Sequence, residues 1–333
     1  MSIISKIRRF TYAKLCAKVH KWLLGLLGIW VYPAYWRYKI KGRVENPDFS
    51  HIYFTARPNI GAGIGHQITN WISGYCWAKH FRLPFAHLPF SSKSWDDFLG
   101  FGRDEVQVTT LIKNGWTVRR IPLFDEDDAK SVELAKNIIS TYSGKKAIIL
   151  CEQDQSYRYL YDVMDVLKVK FRSAHANDHD MLTYEPSHFN VAIHVRRGDI
   201  MADPANENLA MRFLSNDYYE KVLQQVVNRF TQLQDKPVHI YFFSQGKVSD
   251  YPEFLHYDNI HWCLDMDAQN SFLHMVYADL LITSRSSFSY KPALMNNGIK
   301  VCPREFWHPY PDTDDWNLCE NNGEIHWKVN KQL

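Results

Sequence analysis

Short apolar runs recur along this chain, each too brief to make a helix and each followed by a stretch of polar or helical periodicity. They are HIYFTA (51–56), KAIILC (146–151), NVAIHV (190–195), VHIYFFS (238–244), NIHWCL (259–264), DLLITS (279–284) and a last piece at 299–302. Runs that are apolar at nearly every position belong to strands covered on both faces, which is the habit of parallel sheets. Between them, residues 217–232 set Tyr218, Val222, Val226 and Phe230 on one helix face. Further helices are expected at 66–79, 271–277 and 287–296. Alternating strands and helices predict an α/β protein of two doubly wound, Rossmann-like halves facing across a cleft. The polar stretch 175–188 is the expected boundary, separating residues 45–180 from 181–333.

Residues 1–44 stand apart. Ten lysines and arginines, from Lys6 to Arg43, precede the first acid, Glu45. Removing those ten from the chain's 39 basic residues leaves 29 against 36 acidic ones, so the body is acidic and only the leader basic. That distribution argues against a nucleic-acid binder, whose folded body is ordinarily the basic part. The leader also holds an uncharged run, WLLGLLGIWVYPAYW (22–36), spanning about 22 Å if helical, against ~30 Å for a bilayer core. Pro33 would disturb its last turn. Cationic flanks with terminal Trp and Tyr fit a membrane-surface anchor on the cytoplasmic face, with a single-pass signal-anchor as the alternative and a helix packed on the body as a third reading. Six scattered cysteines without a C-x-x-C pair read as reduced core thiols in a cytoplasmic setting, with two or three bridges in a secretory lumen as the alternative.

Three segments carry candidate chemistry. IHVRRGD (193–199) ends a buried strand in Arg196 and Arg197, whose guanidinium forks suit phosphate oxygens, with Gly198 for a sharp turn and Asp199 to brace an arginine or take a proton. NIGAGIGHQ (59–67) lies between a strand and a helix. Its Gly63 and Gly65 let backbone amides approach an anion, and His66 falls in the first helical turn. The glycine spacing is not that of a nicotinamide site, and no Gly-Lys-Ser/Thr follows to make a P-loop. In the third segment, Ser286, Ser287 and Ser289 open a helix after a strand, a second place for a phosphate. Capping accounts for one of these serines, not three. Asp265 and Asp267 form a D-x-D, read as loop-capping acids before a metal site. His175, His179 and Asp180 are a weak zinc set, and the acids at 125–128 read as a solvated helix start.

Together these residues resemble a known family. HVRRGD (194–199) is similar to the H-x-R-R-x-D signature of the α1,2-/α1,6-fucosyltransferase superfamily. The order of the flanking pieces is similar to its bacterial α1,2 members: a G-x-G-x-Q loop, Asp217-Tyr218-Tyr219, Phe243-Ser244, S-x-S-S-F-S (284–289) and Val301–Pro303. Members commonly read F-S-D-D where this chain has Gln245-Gly246 after Phe243-Ser244, and α1,2 relatives read W-W where it has Tyr290-Lys291. The resemblance implies a GT-B fold with an N-terminal acceptor domain and a C-terminal domain holding GDP-fucose. It also implies inverting, metal-independent transfer to a glycan acceptor in surface polysaccharide or glycolipid synthesis. Carried over by position, Arg196 binds the β-phosphate, His194 lines the nucleotide pocket, and Arg197, Ser286, Ser287 and Phe288 complete the donor site with Gly63 and Gly65. Asp199 and His66 are the candidates for a catalytic base. A transferase using another nucleotide sugar and a non-catalytic binding protein are the competing readings.

Overall fold

A computed structural model describes residues 19, 22–23, 26–174, 182–202, 211–233 and 235–328, with the side chains of Asp199 and Ala202 outside the description. The helices, in chain order, are α1 (Pro33–Lys41), α2 (Ile64–His80), α3 (Lys93–Leu99), α4 (Val108–Lys113), α5 (Ala129–Ser140), α6 (Met164–Ala174), α7 (Asp199–Ala202), α8 (Asn216–Leu233), α9 (Ala268–Tyr277) and α10 (Ser287–Met295). The first five strands are β1 (Ile52–Ala56), β2 (Ala86–His87), β3 (Val106–Gln107), β4 (Thr117–Arg120) and β5 (Ala147–Cys151). The rest are β6 (Phe189–His194), β7 (Val238–Ser244), β8 (Ile260–Leu264), β9 (Leu280–Ile282), β10 (Ile299–Pro303), β11 (Trp316–Cys319) and β12 (Ile325–His326).

The chain forms two compact units, and neither is contiguous. The first takes residues 1–58, 73–88 and 105–157, and the second 59–72, 89–104 and 158–333. The glycine turn and the first half of α2 therefore pack with the C-terminal strands, whereas the sequence placed them within residues 45–180. A contact reaching across more than a hundred residues leaves no local mark in composition.

The first unit holds a parallel sheet in the order β1-β5-β4, with β5 buried along its whole length. On it packs α1. Pro33 opens that helix at its first turn, where its missing N–H costs nothing, so the proline starts a helix and does not end one. Tyr32, Ala34 and Tyr35 are buried, and Arg37 donates to the Thr141 carbonyl at 2.8 and 3.0 Å. Residues 33–41 are thus a helix packed on the body. Trp22 (64% exposed), Leu26, Leu27, Trp30, Trp36 and Ile40 (82% exposed) remain open to solvent. No helix among the described residues is long and apolar enough to cross a membrane.

The second unit is built on a seven-stranded sheet in the order β12-β11-β10-β9-β6-β7-β8, parallel except for β12. From β6 the chain winds outward through β7 to β8, then returns to the other side of β6 with β9 and continues to β10 and β11. This is the doubly wound order, and its reversal lies between β6 and β9. The fully buried β6 explains the unbroken apolar run at 190–195. Tyr218, Tyr219, Val222, Val226 and Phe230 of α8 bury the expected face against Val191, Ile193, Ile240 and Phe242. Cys76, Cys151, Cys263, Cys302 and Cys319 are buried free thiols, while Cys16 lies outside the described residues.

Candidate functional site

In a doubly wound sheet the ligand crevice lies beyond the carboxyl ends of the strands flanking the reversal. Here those ends carry two of the three segments singled out from sequence. The strand β6 finishes on His194 and β9 runs into Ser284, and the two are joined by a hydrogen bond of 2.7 Å between His194 Nδ1 and Ser284 Oγ. The Phe288 ring tilts over the imidazole at 5.6 Å. Burial, and then the nearby Arg196 charge, hold the His194 ring down to about 3, so it is neutral at any physiological pH. A neutral, fixed imidazole lines a site without adding charge to it.

The serines divide their work. Ser286 is the N-cap of α10, accepting from the Phe288 N–H at 3.2 Å. Ser289 Oγ accepts from the Ser284 N–H at 3.2 Å and so ties the helix back to the strand end. Ser289 also donates to the Ser284 and Ser286 carbonyls, whereas Ser286 is engaged as an acceptor and half-buried Ser287 stands in the first turn.

The glycine turn meets the same place. A Cβ built on Gly65 would lie 2.7 Å from the carbonyl carbon and oxygen of Ser287 and 3.0 Å from the Phe288 nitrogen. Gly65 is therefore what lets the start of α2 touch the start of α10, a packing role the sequence reading did not give it. Around Gly63 the space is open. Two helix N-termini, one of a 17-residue helix, converge here, and their aligned dipoles favour an anion. His66 is exposed in the first turn of α2.

The two arginines part company. Arg196 is half-buried and close enough to His194 for its charge to matter. Buried Arg197 donates to the Arg196 carbonyl at 2.8 Å and to Asn216 Oδ1 at 2.5 Å, with the Phe213 ring 4.8 Å away. Asn216, not anticipated from sequence, is itself held by Glu253 Oε2 at 3.0 Å. Gly198 adopts φ +67 and the Gln245 amide fills the space where a Cβ would sit, so the turn after β6 requires glycine. Beside it a cavity of about 510 Å³ is lined by Arg197, Gly198, Phe213, Asn216, Gln245 and Tyr251. Asp199 begins α7, but its side chain lies outside the described residues, as do His175, His179 and Asp180.

Two basic residues that sequence reasoning passed over belong to this neighbourhood. Lys291, one turn beyond Ser287, is completely buried and its Nζ has no hydrogen-bond partner. His308 is stacked on Tyr290 at 5.4 Å, and burial first, then its nearness to Lys291 and His66, holds its ring down to about 3. A lysine inside a helix whose residues 289–295 are otherwise uncharged was the available signal. Among the described residues no cluster of three metal-ligating side chains is disposed around a common point. Asp267 caps α9, accepting from the Gln269 and Asn270 N–H groups, in line with the capping reading.

No protein-family model and no curated protein matches the chain. Among solved structures it is similar to POFUT1 in complex with GDP, over 77% of this chain and 99% of that one, at 12% identity and a TM-score of 0.45. It is similar also to NodZ α-1,6-fucosyltransferase soaked with GDP-fucose, over 83% and 98%, at 10% identity and a TM-score of 0.45. A third is FUT1 of Arabidopsis thaliana in complex with GDP, over 84% and 74%, at 12% identity and a TM-score of 0.41. With identities this low and TM-scores below one half, the reading of the site rests on its own residues.

Proposed function

We propose that this protein is an inverting, metal-independent glycosyltransferase that moves fucose from GDP-fucose to a glycan acceptor, in the building of a surface polysaccharide or glycolipid. The observation that carries the reading is the meeting of the β6 and β9 ends with the starts of α2 and α10 at the sheet reversal, a basic anion-favouring corner beside a cavity with room for a nucleoside. The donor is named by the H-x-R-R-x-D resemblance at 194–199.

Transfer with inversion forms a bond from the acceptor oxygen to the sugar's C1 while the bond from C1 to the diphosphate oxygen breaks on the opposite face. Negative charge then accumulates on the departing phosphate. Arg196, the α10 and α2 amides and the Ser287 hydroxyl are the groups assigned to that charge, and one well-placed donor is worth ~3–4 kcal/mol in the transition state. His66, or Asp199, receives the acceptor's hydroxyl proton. Neutral His194 and Phe288 shape the wall. Arg197, fixed by Asn216, faces the nucleoside cavity.

Calorimetry with GDP, UDP and CDP tests the donor. GDP is expected to bind best, and a preference for UDP would refute fucose while leaving a nucleotide-sugar transferase standing. Arg196→Ala should then lower turnover by about 10²–10³-fold. Sugar release or transfer from none of a panel of nucleotide sugars, with acceptor extract present, would overturn the enzymatic reading.

We propose further that the N-terminal segment rests on an anionic membrane surface, on the cytoplasmic face, which would keep the enzyme beside lipid-borne acceptors. The exposed Trp22, Leu26, Leu27, Trp30, Trp36 and Ile40 alongside ten cationic residues support it.

A further inference from the structure

Lys291 poses a problem that the rest of the fold does not solve. An amine wholly removed from water and hydrogen-bonded to nothing is costly in its charged form. The Tyr290 ring lies 4.9 Å from its Nζ. His66 reaches the locality from α2 and His308 from the loop after β10, and both are bases. The helices packed on α10 bring His274 on α9, and Asp165, Lys168, Lys170 and Arg172 on α6. None of these sets the state of the amine, since burial alone pulls it from its usual 10.5 to about 7.

The amine's place on the helix tells what would relieve it. Ser287 and Lys291 are four residues apart and share a helix face, and helical side chains lean toward the N-terminus. Lys291 thus shares the face of α10 that runs up to the corner where the α10 and α2 starts touch at Gly65 and Ser287, and both it and His66 lie within electrostatic reach of His308. Two helix N-termini carry partial positive charge, and His66 and the buried amine are bases beside them. One negative ligand would compensate every one of them.

We propose that Lys291 is a concealed counter-charge for the donor's diphosphate: neutral in the empty protein, it takes a proton from solvent when the anion settles over the helix starts. The inference rests on the donor reading above and adds to it a coupling between donor binding and proton uptake. In the empty site the neutral amine spares the fold an unpaired buried cation. In the filled site the charged amine adds to the field on the phosphates. After transfer the departing nucleotide carries its negative charge away, and the amine returns its proton to water.

Titrating GDP into the full chain at pH 7.5, in two buffers of different ionisation enthalpy, counts the protons exchanged. If the bound anion favours the charged amine tenfold, wild type takes up about half a proton per GDP more than Lys291→Met. At that pH the Met variant, which keeps no charge, should bind GDP about 3-fold more weakly. Lys291→Arg, whose charge is permanent, should keep the affinity and lose the uptake. GDP binding with no uptake, or uptake that persists in Lys291→Met as it would if His66 or His308 supplied it, overturns the inference and leaves the donor reading intact. Failure of wild type to bind any of GDP, UDP or CDP sinks the donor reading itself.

Discussion

At the scale of single residues, the site assigns different work to groups of like charge. Arg197 is held by Asn216 and the Arg196 carbonyl, Arg196 is left to the strand end, and Lys291 is hidden. The hidden lysine has a measurable cost. Its folded-state value near 7 lies below the unfolded one, so between about pH 7 and 10.5 the unfolded chain binds more protons and stability climbs with pH. The penalty is full below pH 7 and fades as the pH approaches the unfolded value. Lys291→Met should therefore stabilise the protein by roughly 3–4 kcal/mol at pH 7 and by only about 1 kcal/mol at pH 9.5. Denaturant titrations of both proteins at the two pH values decide it, and an equal gain at both would show that the amine is not the source. Sequence reading noted this residue only as a departure from the family pattern and gave it no role, since a charge within a helix ordinarily marks a solvated face. The burial of α10 on every side, which depends on α9 and α6, removes that expectation.

Among the secondary-structure elements, the contact between α2 and α10 makes the sharpest demand. Gly65→Ala would drive a Cβ against the Ser287 backbone, which cannot rotate away as a side chain would. The variant should lose about 1–3 kcal/mol of stability and most of its GDP affinity. Gly63→Ala, which meets open space, should stay within about 0.5 kcal/mol of wild type in the same thermal scan. Much at this scale was legible beforehand. The strands at 238–244 and 260–264, the α8 face and the serine-led helix follow from periodicity and capping, which act over a few residues. Short helices such as α3 and α4 left no such trace, since six or seven residues hold too few apolar repeats to distinguish them from loop. The role of Gly65 was hidden for another reason: its partner lies more than two hundred residues away. Nor could periodicity tell that Ser286 would cap α10 while Ser289 ties it back to the strand end.

For the whole molecule, net positive charge and a run of exposed apolar side chains lie near the beginning of the chain. Cosedimentation with vesicles containing anionic lipid should retain the protein at low salt and release much of it at high salt. Trp30→Ser with Ile40→Ser should weaken retention by at least several-fold, because both side chains are exposed and their removal costs the fold little. Binding unaffected by salt and by both substitutions would exclude a surface role for this segment. The second unit has one more consequence. It borrows residues 59–72 and 89–104 from early in the chain, so its sheet and its glycine turn are encoded far apart. A gene fragment starting at residue 158 would specify every strand of the large sheet and none of the backbone that meets Ser287. Such a site cannot be shuffled between proteins as a cassette. It must be inherited entire.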